Sequence, residues 1–284
     1  MTQLSDSKKH HATTFTAGLV FVALLSMPSI VRAQEPWRPV SIRVGGLVAD
    51  ISSDVQVNGS LGDINTTIDF EDDLGFDSTV NTFFIDGTWR LARKHQLQVG
   101  FTGIKRDVSH ARPTRTIVFR DQTFTVDTNV DAFVDTWYLT LNYGYAFIAN
   151  PTAEFGFNIG FTGLHVKTGM DVSATGGSGE VSRDLADNAE FTAPVPLPGL
   201  FGNFRPHPRV ELNGSLRVIK ASIDKLDGTM WEARFGGDYK VLPGLGVGAA
   251  YYFNHANLDR HGAVWDGSVE YSFNGPQVYV SFGF

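Results

Sequence analysis

The stretch Trp137-Tyr138-Leu139-Thr140-Leu141-Asn142-Tyr143-Gly144-Tyr145-Ala146-Phe147 decides how the rest of the chain is read. Its odd positions are all bulky and apolar, while Thr140, Asn142, Gly144 and Ala146 lie between them. A period of two puts alternate side chains on opposite faces of an extended strand, so one face is greasy and the other small or polar. The pattern continues on both sides. Phe155, Phe157, Ile159 and Phe161 alternate with Glu154, Gly156, Asn158, Gly160 and Thr162, and Leu97, Val99 and Phe101 with Gln96, Gln98, Gly100 and Thr102.

The minority face separates a soluble sheet from a membrane one. Opposite Trp231, Ala233, Phe235, Tyr239 and Val241 stand Glu232, Arg234, Gly236, Asp238 and Lys240. In residues 210–218 the alternates are Glu211, Asn213, Ser215 and Arg217, and in 83–91 they are Phe84, Asp86, Thr88 and Arg90. A soluble sandwich or lipocalin-like barrel turns its apolar face inward to fill a core. Bulky residues on nearly every strand, backed by glycine and mixed charge, instead suit hydrocarbon outside and a narrow polar lumen inside. The expectation is an all-β chain forming a closed antiparallel transmembrane β-barrel.

Connections set the strand number. Short turns fall at 92–95, 149–152, 205–208 and 242–244, and longer connections at 51–78, 109–129, 169–191, 224–227 and 259–274. Four turns and five loops make ten strands, with short turns on one side and long loops on the other, the layout of outer-membrane barrels. The sixth strand is the weakest, because Pro194, Pro196 and Pro198 cannot donate ladder hydrogen bonds. Eight or twelve strands are the alternatives.

The N-terminus reads as an export signal. Lys8, Lys9, His10 and His11 precede an apolar run over 15–25, Pro28 can break a helix, and Val31-Arg32-Ala33 supplies small residues three and one before a cut. Residues 1–33 are thus expected to be cleaved after Ala33, leaving a barrel domain at 34–284. The mature chain keeps 20 Lys and Arg against 29 Asp and Glu, a net charge of −9 that argues against nucleic-acid binding. The absence of Cys excludes disulfides, thiolate metal sites, a thiol nucleophile and an acylated N-terminal Cys.

The chain ends in Val278-Tyr279-Val280-Ser281-Phe282-Gly283-Phe284. A terminal Phe284 behind apolar Phe282, Val280 and Val278 resembles the C-terminal β-signal that bacterial outer-membrane proteins present to the barrel assembly machinery. The resemblance implies a bacterial outer-membrane location, that machinery as a partner, and contact with membrane lipids and lipopolysaccharide. It names no subfamily, and a monomer without cofactors is expected.

Three groups of residues carry candidate chemistry. Arg43, Asp86, Arg90, Glu154, Glu211, Arg217, Glu232, Arg234, Asp238 and Lys240 fall on the inward face, where they either line a pore or pair across a narrow lumen. Pairing is the expected outcome, since the signs are mixed. Asp69, Glu71, Asp72, Asp73 and Asp77 could hold a divalent cation, although a solvated acidic loop explains them more simply. His255, Asp259, His261 and Asp266 gather where the ninth strand meets its outer loop. Omptin proteases are also ten-stranded barrels with catalytic Asp and His on the rim, but no omptin motif is present here. The function expected is a structural or surface-exposed barrel, with passive passage of small solutes as an addition. A rim-located, omptin-like hydrolase and an adhesin or receptor acting through the loops are the alternatives.

Overall fold

The computed structural model describes residues 37–58, 65–111, 114, 117–119, 122–124, 128–174, 181–183, 189–223, 226–260 and 266–284. The expected signal segment therefore lies outside the described residues, as does the Gly-rich run at 176–179. Ten strands follow one another round a ring: β1 (Val40–Asn58), β2 (Thr79–Ala92), β3 (His95–Ala111), β4 (Thr128–Ala149), β5 (Ala153–Ala174), β6 in two segments (Ala189–Pro196 and Gly199–His207), β7 (Val210–Ile223), β8 (Leu226–Leu242), β9 (Leu245–Arg260) and β10 (Asp266–Gly283). Each is antiparallel to its neighbours, and β10 pairs with β1 from Ser41 opposite Gly283 to Asn58 opposite Asp266, which closes the barrel.

The two faces fall as the alternation dictates. Leu139, Phe157 and Phe235 are 47%, 46% and 59% exposed on the outside, whereas Asn142 and Asn158 are 2% and Asp238 7% exposed inside. An apolar belt on all sides is untenable in water and suited to lipid. The belt has an upper edge. On β1 the outward residues change from Val44 and Val48 to Asp50 and Ser52, and on β7 from Val218 to Lys220. Yet the ladders continue past that edge, so β1 runs on to Asn58 and β10 already begins at Asp266. Much of what the sequence assigns to the loops at 51–78 and 259–274 is therefore strand. Above the hydrocarbon the outward face turns polar and the period of two fades, while backbone pairing goes on.

The proline-rich sixth strand is real, and its prolines have a directional meaning. Leu197 and Arg205 donate their N–H groups toward β5, to Gly160 and Thr152, so even-numbered positions face β7. Pro194, Pro196 and Pro198 all stand at even positions. They remove donors only from the β7 side, and residues 189–196 accordingly pair with β5 alone. The last tie to β7 on this edge is Val218 N–H donating to the Pro198 carbonyl at 3.0 Å.

The interior departs from a uniformly polar lumen. At mid-height Leu47, Ile51, Phe84, Ile104, Tyr138, Leu197, Met230 and Phe273 pack together, none more than 4% exposed. Tyr138 sits on the face that the opening stretch otherwise reserves for small residues. Its ring packs on Phe273 at 5.3 Å, which in turn stacks on Tyr252 at 5.4 Å. A ring of about ten strands encloses little more than side chains, so one layer of large residues fills it.

Above this layer, at the end with the long connections, residues 65–78 turn into the mouth. Asn65–Asp69 pairs with β1, and Ile68, Leu74 and Phe76 bury themselves against Ala132 and Val134 of β4. Glu71 anchors this plug: it accepts hydrogen bonds from Ser53 N–H at 2.9 Å and Ser53 Oγ at 2.7 Å and pairs with the buried Arg106. Two further pieces lie outside the ring, Val181–Arg183 paired with β5 and a hairpin of Ile117–Phe119 with Gln122–Phe124.

Candidate functional site: the charged chamber of the lumen

Below the apolar layer, at the short-turn end, the lumen holds a cavity of about 220 Å³. Strict alternation aims one charged or amide side chain per rung from nearly every strand into it. Of the ten inward charges read from the sequence, all but Glu154 line the cavity. Glu154 lies behind its wall, 0% exposed, where Arg90 Nη2 donates at 2.9 Å and Asn203 Nδ2 at 3.0 Å.

Register explains the other pairs. Glu211 stands directly opposite Asp238 across β7 and β8, a like-charge contact that would be unfavourable alone. Two arginines resolve it: Arg205 pairs with Glu211 at 3.2 Å and Arg43 with Asp238 at 3.5 Å. Asp238 also accepts from Asn213 Nδ2 at 2.8 Å and Tyr279 Oη at 3.0 Å. Six residues further along the same two strands, Arg217 faces Glu232 in register and pairs with it. Buried ions so arranged are satisfied by partners rather than by bulk water. Arg234 differs, because its Nε donates to Gln277 at 2.8 Å and its Nη1 to Asn213, both neutral, and its guanidinium lies 5.1 Å from the Tyr279 ring.

Several contributors escape sequence reading. Arg205 reads as part of a turn, but β6 continues to His207 and Arg205 is 2% exposed. It is covered by Trp37, whose ring centroid is 4.1 Å from the guanidinium. Trp37 Nε1 donates to the Asn150 carbonyl at 2.8 Å, while Arg38 Nη1 donates to that of Gly283 at 2.7 Å. The segment before β1 is therefore tied to the ends of both β4 and β10 across the short-turn mouth. Only the long separation of these residues in sequence hides the arrangement.

The acidic run is occupied with local structure. Besides Glu71 on Arg106, Asp69 accepts from Asp72 N–H at 2.7 Å and Asp73 from Asp69 N–H at 3.0 Å, while Asp77 is exposed. Among the described residues no three His or acidic side chains converge as a metal site. The run is thus a folded plug rather than a freely solvated loop.

The rim histidine cluster is assembled differently from its sequence grouping. His255 points outward on β9, with its ring 6.2 Å from that of Trp231. Its carboxylate neighbour is Glu270 on β10, with Nδ1 3.8 Å from Oε1. Asp259 pairs in register with Ser268. The side chain of Asp266 and all of His261 lie outside the described residues.

No family model matches this sequence, and no curated protein matches it. Among solved structures the chain is similar to the outer membrane protease OmpT from Escherichia coli, 12% identical, over 90% of this chain and 99% of that one with a TM-score of 0.57. It has the fold of a bacterial outer-membrane β-barrel. Other outer-membrane barrels align with lower scores: the translocator domain of the autotransporter NalP from Neisseria meningitidis (12% identity, 86% and 88% coverage, TM-score 0.45) and OprG from Pseudomonas aeruginosa (13%, 88% and 98%, 0.32). The likeness to OmpT shows the fold alone, and the subfamily is left to the chain's own residues.

Proposed function

We propose that this chain is a closed outer-membrane barrel with a structural or surface-exposed role, and that it carries no open pore. The observation that supports this reading is the apolar layer across the lumen, with Phe84, Ile104, Leu197 and Phe273 at 0–1% exposure and the anchored plug of 65–78 above it. Ions crossing such a layer would lose their hydration without finding partners. In this reading the long connections face the outside of the cell and the short turns the periplasm. The belt meets membrane lipids and lipopolysaccharide, β10 carries the signal for the assembly machinery, and the barrel works as a monomer.

Planar-bilayer recording of the refolded mature chain tests the reading. Baseline current without unit steps is expected; stable, reproducible unit currents would overturn it. The non-enzymatic part has its own check. Peptide hydrolysis by the wild-type barrel that disappears in His255→Ala would contradict it.

A further inference from the structure

The chamber at the short-turn end is lined by more cations than carboxylates. Seven Lys and Arg side chains face four Asp and Glu, with Glu154 hidden behind Arg90 as a fifth acid. Placement sharpens the asymmetry. In three ion pairs the carboxylate is the more withdrawn partner: Glu154 at 0% beside Arg90 at 13%, Glu232 at 3% beside Arg217 at 13%, and Asp238 at 8% beside Arg43 at 19%. In the fourth pair the order is reversed, with Arg205 at 2% and Glu211 at 17%. Guanidinium edges thus make up much of the inner surface, though not all of it. Arg234 reinforces them, since among the described residues its hydrogen-bond acceptors are the amides of Gln277 and Asn213. Two lining carboxylates oppose them: Asp86, near Arg234, Arg43 and Arg217, and Glu211, which is more exposed than its partner Arg205.

A concave cationic wall surrounded by protein and lipid of low dielectric focuses field on its contents and attracts anions. Arginine also suits the bidentate geometry of carboxylates and phosphates. The cavity of about 220 Å³ holds roughly seven waters at about 30 Å³ each, or one compact oxyanion with some water. The apolar layer seals it above. Trp37 and Arg38 are among its lining residues at the other end, so that mouth is the way in.

We propose that this chamber is a binding site for one small multivalent oxyanion, a phosphate or a compact di- or tricarboxylate, admitted past Trp37 from the short-turn side and held by Arg43, Arg217 and Arg234. This goes beyond a purely structural role and does not require a conducting pore, so the two readings fail separately.

Isothermal titration of the refolded protein in non-ionic detergent at low ionic strength tests it, with inorganic phosphate and citrate as separate probes that distinguish the two sources of oxyanion. Saturable binding of one anion per chain, at a Kd of about 1 mM or tighter, is expected for at least one probe. Arg234→Gln should weaken it at least about tenfold, while Lys220→Gln on the outer surface should leave it unchanged. Arg43→Gln is the second chamber variant should Arg234→Gln not refold, and heat-modifiable gel migration reports folding of each. No saturable heat with either probe on the folded wild type would overturn the proposal, because the chamber would then hold water only. Binding that folded Arg234→Gln or Arg43→Gln retains in full would overturn it equally.

Discussion

Leu139 and Asn142 stand three residues apart on β4, and the fold turns on their opposite fates: one is 47% exposed to the outside and the other 2% exposed within. Replacing Leu139 or Phe157 by Arg puts a charge in the apolar belt, at a cost of roughly 2–4 kcal/mol near the bilayer midplane. Asn142→Ser or Asn158→Ser should cost clearly less. Urea unfolding of the four variants in liposomes gives the order, and a reversed ranking would mean that the faces are misassigned. The buried pair Arg90–Glu154 supplies a second test at this scale. Glu154→Gln strands a guanidinium and should destabilise by about 3–5 kcal/mol, with most of the loss recovered by adding Arg90→Met. An uncorrected double variant would show that the pair is not the reason. Single residues were legible in the sequence as to face, since a period of two settles it. Their height in the barrel was not, because tilt and stagger decide which rungs meet. For that reason alternation places Glu154 inward without naming Arg90 as its partner, and Arg205 reads as part of a turn.

Among the elements, the plug formed by 65–78 combines an apolar contact and a short ladder to β1 with a buried ionic anchor. Arg106 holds Glu71 and also donates to Ser53 Oγ at 2.8 Å. Arg106→Ala leaves the Glu71 carboxylate without its cation at the top of the lumen. Limited proteolysis should then cut within 65–78 at least about tenfold faster while the barrel core stays resistant; unchanged cleavage would contradict the anchoring. This plug was invisible in the sequence, where acidic density suggested a loop in water. The apolar partners Ile68, Phe70, Leu74 and Phe76 were the available signal. β6 was read more nearly, since three prolines two residues apart do weaken a strand. What the sequence could not convey is that all three face β7, so the ladder to β5 survives and the count stays at ten.

For the whole molecule, the interior is stratified into a cationic polar chamber, an apolar layer and a plug, inside one continuous apolar belt. Closed pairing removes the free sheet edges within the belt that lipid could not satisfy, and the apolar layer across the interior is what the proposal of a closed lumen rests on. The belt follows from the sequence because every strand repeats it. The stratification does not, because each inward aromatic is only an occasional exception on its own strand until the ring brings Tyr138, Tyr252 and Phe273 together. The most direct measurement uses the natural absence of Cys. Single spin labels placed through Leu139→Cys, Phe157→Cys, Phe235→Cys, Asn142→Cys, Asn158→Cys and Asp238→Cys, with the barrel in liposomes, report which side chains meet lipid. Labels at 139, 157 and 235 should relax strongly with oxygen dissolved in the bilayer, and those at 142, 158 and 238 should not. Strong oxygen relaxation at 142, 158 and 238 together with protection at 139, 157 and 235 would contradict the account.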